Sequence, residues 1–143
     1  MKTENKNRNN AKTLPYMLIA GALLNFAFWS LYYMNVIELT DIEDSIVSSF
    51  ESAFPVADFV MSIFLILAAV YMLRKKRAGG FFMTVSGSML IYLAVLDITF
   101  YISNGYYSRI SPAIIVPVCL NVICITGGTF ALIKSWGFWR MSR

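Results

Sequence analysis

At 143 residues, 58 % of them hydrophobic and 15 % aromatic, the chain has the length of one compact unit. Its 14 % of charged residues lies well below the roughly one quarter usual in soluble domains, and it contains no histidine. That excludes His-ligated haem, His-based zinc sites and Ser-His or Cys-His catalytic pairs, and the net charge of +4 sits at the ends of apolar runs, where it argues for lipid contact and against a nucleic-acid partner.

The apolar runs number four, at about 14–37, 54–73, 79–102 and 112–133, each near the ~20 residues that a helix needs to cross a bilayer core. Of the 12 Lys and Arg, 11 lie before the first run, between the second and third, or at the end of the fourth; only Arg109 lies on the other side. Basic residues near helix ends stay cytoplasmic. The expected fold is therefore all-α, a four-transmembrane-helix bundle of the cytoplasmic (plasma) membrane with both termini inside. Residues 1–13 are expected as a disordered cytoplasmic tail, 14–136 as the transmembrane domain and 137–143 as a short cytoplasmic tail.

The first 13 residues are polar and rich in Asn and Lys. Helix one then opens at Leu14-Pro15, where a proline is tolerated because a first-turn N–H has no partner anyway. The run is too long for the core of a signal peptide and no small-residue cleavage site follows, so it is expected to remain as an anchor. It ends in Trp29, Tyr32 and Tyr33, aromatic residues of the kind that sit at a membrane boundary.

The following loop holds Thr40-Asp41-Ile42-Glu43, a capping box. Ile42, Ile46, Val47, Phe50 and Phe54 then recur at helical spacing. These predict a short amphipathic outer helix between helices one and two, about 41–53, on the surface or over the mouth of the bundle. Phe54-Pro55 starts helix two. The connection Arg74-Lys75-Lys76-Arg77-Ala78-Gly79-Gly80 is short, so helices two and three are antiparallel neighbours, and its four cations suit anionic headgroups as well as topology.

Gly80, Thr84 and Ser88 on helix three, and Cys124, Gly128 and Ala131 on helix four, form stripes of small residues suited to close helix packing. Asn104-Gly105 marks a turn, with Tyr106 and Tyr107 at the interface. Ser111-Pro112 reads as the start of helix four, and Pro117 should loosen it. Cys119 and Cys124 diverge by about 140° around that helix, so they read as packing residues, with no disulfide between them.

The chemistry-bearing candidates are the polar groups inside the apolar runs. Asp58 is about one turn inside helix two, and Asp97 one or two turns inside the end of helix three, at similar depth. Ser62 follows Asp58 by one turn, and Asn25 and Asn121 sit nearer the middle of their helices. An intramembrane carboxylate costs on the order of 3 kcal/mol at the bilayer centre, so it is kept when it pairs, binds something or stays protonated. Tyr32, Tyr33 and Tyr101 lie close enough in sequence depth to form an aromatic wall around the pair.

The stretch Phe54-Pro55-Val56-Ala57-Asp58 through Arg74, with Leu96-Asp97, Asn104-Gly105-Tyr106-Tyr107 and Asn121-Val122, resembles a group of small prokaryotic four-helix membrane proteins. The resemblance covers helices two to four and implies topology and the choice of Asp58 and Asp97, with no activity attached. Small multidrug transporters share the architecture but carry their essential acid in helix one, where this chain has Asn25. The sterol-isomerase and sigma-2-receptor group also pairs acids in a short bundle, with histidine and glutamate chemistry that this chain lacks.

The expected function is a non-enzymatic membrane protein that holds a small cationic or lipid-like ligand, or an ion, at Asp58 and Asp97, with Tyr32, Tyr33, Tyr101, Asn25, Asn121 and Ser62 around them. No metal site or cofactor is expected. The alternatives are a subunit of an oligomeric transporter and an assembly or interaction protein, with a second copy or another membrane protein as partner, and anionic headgroups near Arg74, Lys75, Lys76 and Arg77.

Overall fold

The computed structural model describes residues 2–34, 36, 45–108 and 114–141 and, within them, the side chains from 13 to 137. Among these residues every regular element is helical: α1 (Lys2–Tyr33), α2 (Ser45–Glu51), α3 (Phe54–Leu73), α4 (Ala78–Ser103), a 3-10 turn η1 (Tyr106–Ser108) and α5 (Ile115–Met141). Four segments are long and apolar enough to cross a membrane, Thr13–Tyr33, Ser45–Leu73, Ala78–Ser103 and Ile115–Gly137. These are the helices of a multi-pass membrane protein.

The run expected at 54–73 is α3 to the residue, with its proline in the first turn, and the run at 79–102 is α4 with one more residue at each end. The outer runs differ more. Helix α1 stops at Tyr33 although Met34, Val36 and Ile37 prolong the apolar run, and it extends back to Lys2 through the polar segment expected as a tail. Pro15 therefore lies inside the helix, where it leaves one turn without its N–H donor. Helix α5 runs on to Met141, past the end expected at 133 and through Gly137 into the expected tail.

Pro117 falls in the first turn of α5 and is buried; a donor is not needed there, so it ends no hydrogen-bond ladder. Within the range 41–53, where a helix is expected, the described helix is α2, Ser45–Glu51, and Ser52 and Ala53 form a turn. Residues 41–44, the capping box and Ser111-Pro112 lie outside the described residues.

Each spanning helix packs on the next in chain order, α1 on α3, α3 on α4 and α4 on α5. Among the described residues α1 and α5 share no comparable seam, so the four helices form a row bent around one core. That core joins Leu14, Leu18 and Ala22 of α1, Leu65, Ala68 and Ala69 of α3, Met83 of α4 and Ala131 of α5. All lie in the halves of their membrane-length segments nearer the Arg74–Arg77 turn. The opposite halves carry Asn25, Trp29, Asp58, Ser62, Asp97, Tyr101 and Asn121, whose polar groups bond between elements, whereas at the first end the buried hydroxyls of Ser86 and Ser135 bond to carbonyls of their own helices.

Two close approaches build the row. A Cβ on Gly79 would lie 2.5 Å from Met72 Cγ and 2.8 Å from Met72 N, so α4 starts against the backbone of α3. A Cβ on Gly128 would lie 2.7 Å from both Gly87 O and Ile91 Cγ1, which brings the backbones of α4 and α5 into contact. The expected stripe on α5 thus meets α4 through Gly128 and Ala131. On α4 the residue that receives it is Gly87, while Ser88 is exposed.

The α3–α4 turn closes as a Schellman motif. Lys76 N donates to Tyr71 O (2.8 Å) and Lys75 N to Met72 O (2.9 Å), with Lys75 in the left-handed region at φ 54°. All four cations of the turn are exposed.

Gly128→Leu should lower the thermal stability of the detergent-solubilised protein by about 2 kcal/mol or more, because overpacking here strikes backbone. Gly127→Leu, at a position with nothing within 4 Å of a Cβ, should change it little; equal losses in the two variants would refute the α4–α5 contact. Lys75→Gly should raise stability by up to about 1 kcal/mol in the same melts, since glycine carries no steric cost at that φ.

Candidate functional site: two polar clusters at one end of the helices

The first cluster joins α1 to α3. Asn25 and Trp29 are one turn apart on α1, and Asp58 and Ser62 are one turn apart on α3, so in the antiparallel pair each residue meets its counterpart. Trp29 Nε1 donates to Asp58 Oδ2 (2.8 Å). The Asn25 amide donates to Ser62 Oγ (2.9 Å) and to the Asp58 carbonyl oxygen (3.0 Å). Ser62 is fully buried. Phe26 and Phe59, edge to face at 5.3 Å, continue the same seam.

The second cluster joins α4, α5, α2 and η1. The Asn121 amide donates to Asp97 Oδ2. One turn further along α4, the hydroxyl of Tyr101 donates to Glu51 Oε1 of α2 (3.0 Å). Tyr101 is 0 % and Glu51 only 8 % exposed. Beside them Phe50 of α2 stacks on Phe100 of α4 at 3.8 Å and 5°, and meets Phe54 edge to face at 4.9 Å. Tyr106 and Tyr107 each lie 5.6 Å from the Tyr101 ring.

Asp97 also interacts electrostatically with Glu51, Tyr101 and Tyr107. Tyr107 lies in the turn outside the spanning segments. Burial first, and then the charge of Asp97, hold its phenol above the usual value against an opposing hydrogen bond with Asn121, so it remains a proton donor beside that carboxylate at ordinary pH.

The two aspartates therefore belong to different clusters. The acid that Asp97 meets is Glu51, while Asp58 is held by α1. Cys119 is exposed, and both cysteines are free.

Of the remaining expected residues, Asn25 and Ser62 join Asp58, Asn121 joins Asp97, and Tyr101 reaches Glu51. Tyr33 is 66 % exposed, and Tyr32 packs edge to face on Trp29 at 5.4 Å. The aromatic residue that touches Asp58 is thus Trp29, one turn deeper. Trp29 and Glu51 were not among the expected site residues. Glu51 shares a helix face with Val47 and Phe54, and an acid on the apolar face of an amphipathic helix was the available signal. Among the described residues no three His, Cys, Asp or Glu side chains group as metal ligands. No family model, curated protein or solved structure matches the chain.

Trp29→Phe should cost about 1–2 kcal/mol in thermal melts through loss of the donor to Asp58, whereas Tyr33→Phe should stay within about 0.5 kcal/mol. Equal effects of the two changes would remove Trp29 from the site.

Proposed function

We propose that this chain is a non-enzymatic integral membrane protein of the cytoplasmic membrane, with both termini inside, that holds a small cationic or lipid-like ligand or an ion at its intramembrane carboxylates. Asp97 is the principal anchor, and Asp58 is the second. The observation that carries this reading is the chemistry of their partners. Asp58 receives an indole N–H and Asp97 an amide N–H, both neutral donors. Such donors orient a carboxylate without cancelling its charge, and a proton or a cation completes it.

The basic turn Arg74–Arg77, in this topology, faces the headgroups of the inner leaflet. Its four exposed cations suit anionic lipids, each contributing about 1 kcal/mol near such a surface.

A second reading, a subunit of an oligomeric transporter, is favoured by the absence of an α1–α5 seam among the described residues, because a second copy could complete a path along the inner face of the row. The assembly reading has less to stand on, since Gly128 and Ala131 are occupied by packing within the chain.

The test is native mass spectrometry of the protein extracted gently from its own membrane, beside Asp97→Asn and Asp58→Asn. A monomer carrying a small bound mass that Asp97→Asn loses, with insertion intact, is the expected result. A bare dimer unchanged by either substitution would overturn the binding reading in favour of transport or docking. Labelling of cysteines placed at positions 75 and 104 from either side of sealed vesicles checks the topology: position 75 should react only from the cytoplasmic side and position 104 only from the other.

A further inference from the structure

Helix α2 is attached in an unusual way. Its Val47 is fully buried and Glu51, one turn on, is 8 % exposed, so a single face of seven residues is pressed inward. It joins α3 through a short turn, Ser52-Ala53, closed by the bonds Ser52 N to Ser48 O (3.0 Å) and Ala53 N to Phe50 O (3.1 Å). Among the described residues it is tied to α4 by the hydrogen bond of Tyr101 to Glu51 and by the stack of Phe50 on Phe100.

These ties lie one turn along α4 from Asp97. Tyr101 follows Asp97 by four residues on the same face of α4, and Glu51 and Asp97 are close enough to interact. The rings around this point do not form an open cage for a cation. Tyr106 and Tyr107 each pack on the Tyr101 ring at 5.6 Å centroid to centroid, and Phe50 packs on Phe54 at 4.9 Å. A molecule approaching Asp97 from this end must first displace something. Among the described residues α2 packs less extensively on its neighbours than any spanning helix does, and elements held by few buried contacts open at the lowest cost.

We propose that α2 is a closed lid over Asp97, hinged at Ser52-Ala53 and held by the Tyr101–Glu51 hydrogen bond as its latch. The lid carries an acid of its own. When it is seated, Glu51 and Asp97 stand as two carboxyl groups with the Tyr101 hydroxyl given to one of them, so a cation or proton delivered between them has both to meet. The purpose of the lid rests on reading Asp97 as a ligand anchor; the latch itself is tested without any ligand.

The experiment uses the full chain in detergent micelles with Cys119→Ser and Cys124→Ser, and a single new thiol from either Val47→Cys, at the buried face of α2, or Ser48→Cys, at its exposed face. The rate of reaction with a bulky polar maleimide is followed for each. The thiol at position 47 is expected to react at least about tenfold more slowly than that at 48. Adding Tyr101→Phe or Glu51→Ala should speed position 47 by about tenfold, the loss expected for one hydrogen bond, and leave 48 unchanged. Glu51→Gln, which keeps an acceptor for Tyr101, should leave position 47 slow.

Equal rates at 47 and 48 in the parent would mean that α2 is not seated. An unchanged rate at 47 in Tyr101→Phe and Glu51→Ala proteins that melt normally would mean that the bond is no latch; should Tyr101→Phe fail to fold, Glu51→Ala alone decides. A working latch in a protein that carries no mass lost on Asp97→Asn would leave the lid standing and sink the ligand reading; the reverse pair of results would do the opposite.

Discussion

Hydrocarbon offers no partner to a polar side chain, and the polar half of this molecule is organised around that constraint. Asn25, Trp29, Asp58, Ser62, Asp97, Tyr101 and Asn121 each take a partner on another element. Except for Glu51 of α2, the partner of Tyr101, these partners fall on neighbouring helices in the row, so satisfying the polar groups and assembling the row are largely the same event. The apolar half needs no such matching. It is held by close approach, at Gly79 against α3 and at Gly87 and Gly128 between α4 and α5.

This division gives the two aspartates unequal standing. Asp58 is enclosed by Trp29 and Asn25 from one helix, and what it does structurally is join α1 to α3. Asp97 meets Asn121 from α5, the electrostatic influence of Glu51, and Tyr107 from the adjoining turn, so three separate elements converge on it. A site that can change state needs contributions from parts that can move relative to one another. On that ground Asp97, with α2 beside it, suits the proposed ligand site better than the symmetrical pair suggested by equal depth.

Much of the fold was legible in the sequence because its signals are long and redundant. Helix α3 is bracketed by Phe54-Pro55 and Arg74, and α4 by the double glycine and Asn104-Gly105, and both match the expected limits to within a residue. The end of α1 was not, because hydropathy continues through Ile37 while the helix stops at Tyr33. Asp58 and Asp97 stood out as charges within apolar runs. Trp29 did not, because an indole near a helix end reads as a membrane-boundary residue, and only the rotation of α1 shows that its N–H points inward. Glu51 was hidden for a similar reason: in a loop rich in acids it looks solvated, and its burial depends on where α2 comes to rest. Gly87 lay outside the four-residue spacing used to pick the stripe on α4, although it is the residue that α5 touches.

The α1–α3 seam also has a metric consequence. Two donors one turn apart meet two acceptors one turn apart in antiparallel order, and this matching exists at a single offset. A slip of one turn would set Asn25 against the Asp58 side chain and leave both Trp29 and Ser62 unmatched. The pairs therefore index the depth of α1 against α3, whatever the thickness of the surrounding bilayer. A membrane thinner or thicker than the helices would tilt the two as a unit, since sliding one past the other breaks every bond of the seam at once.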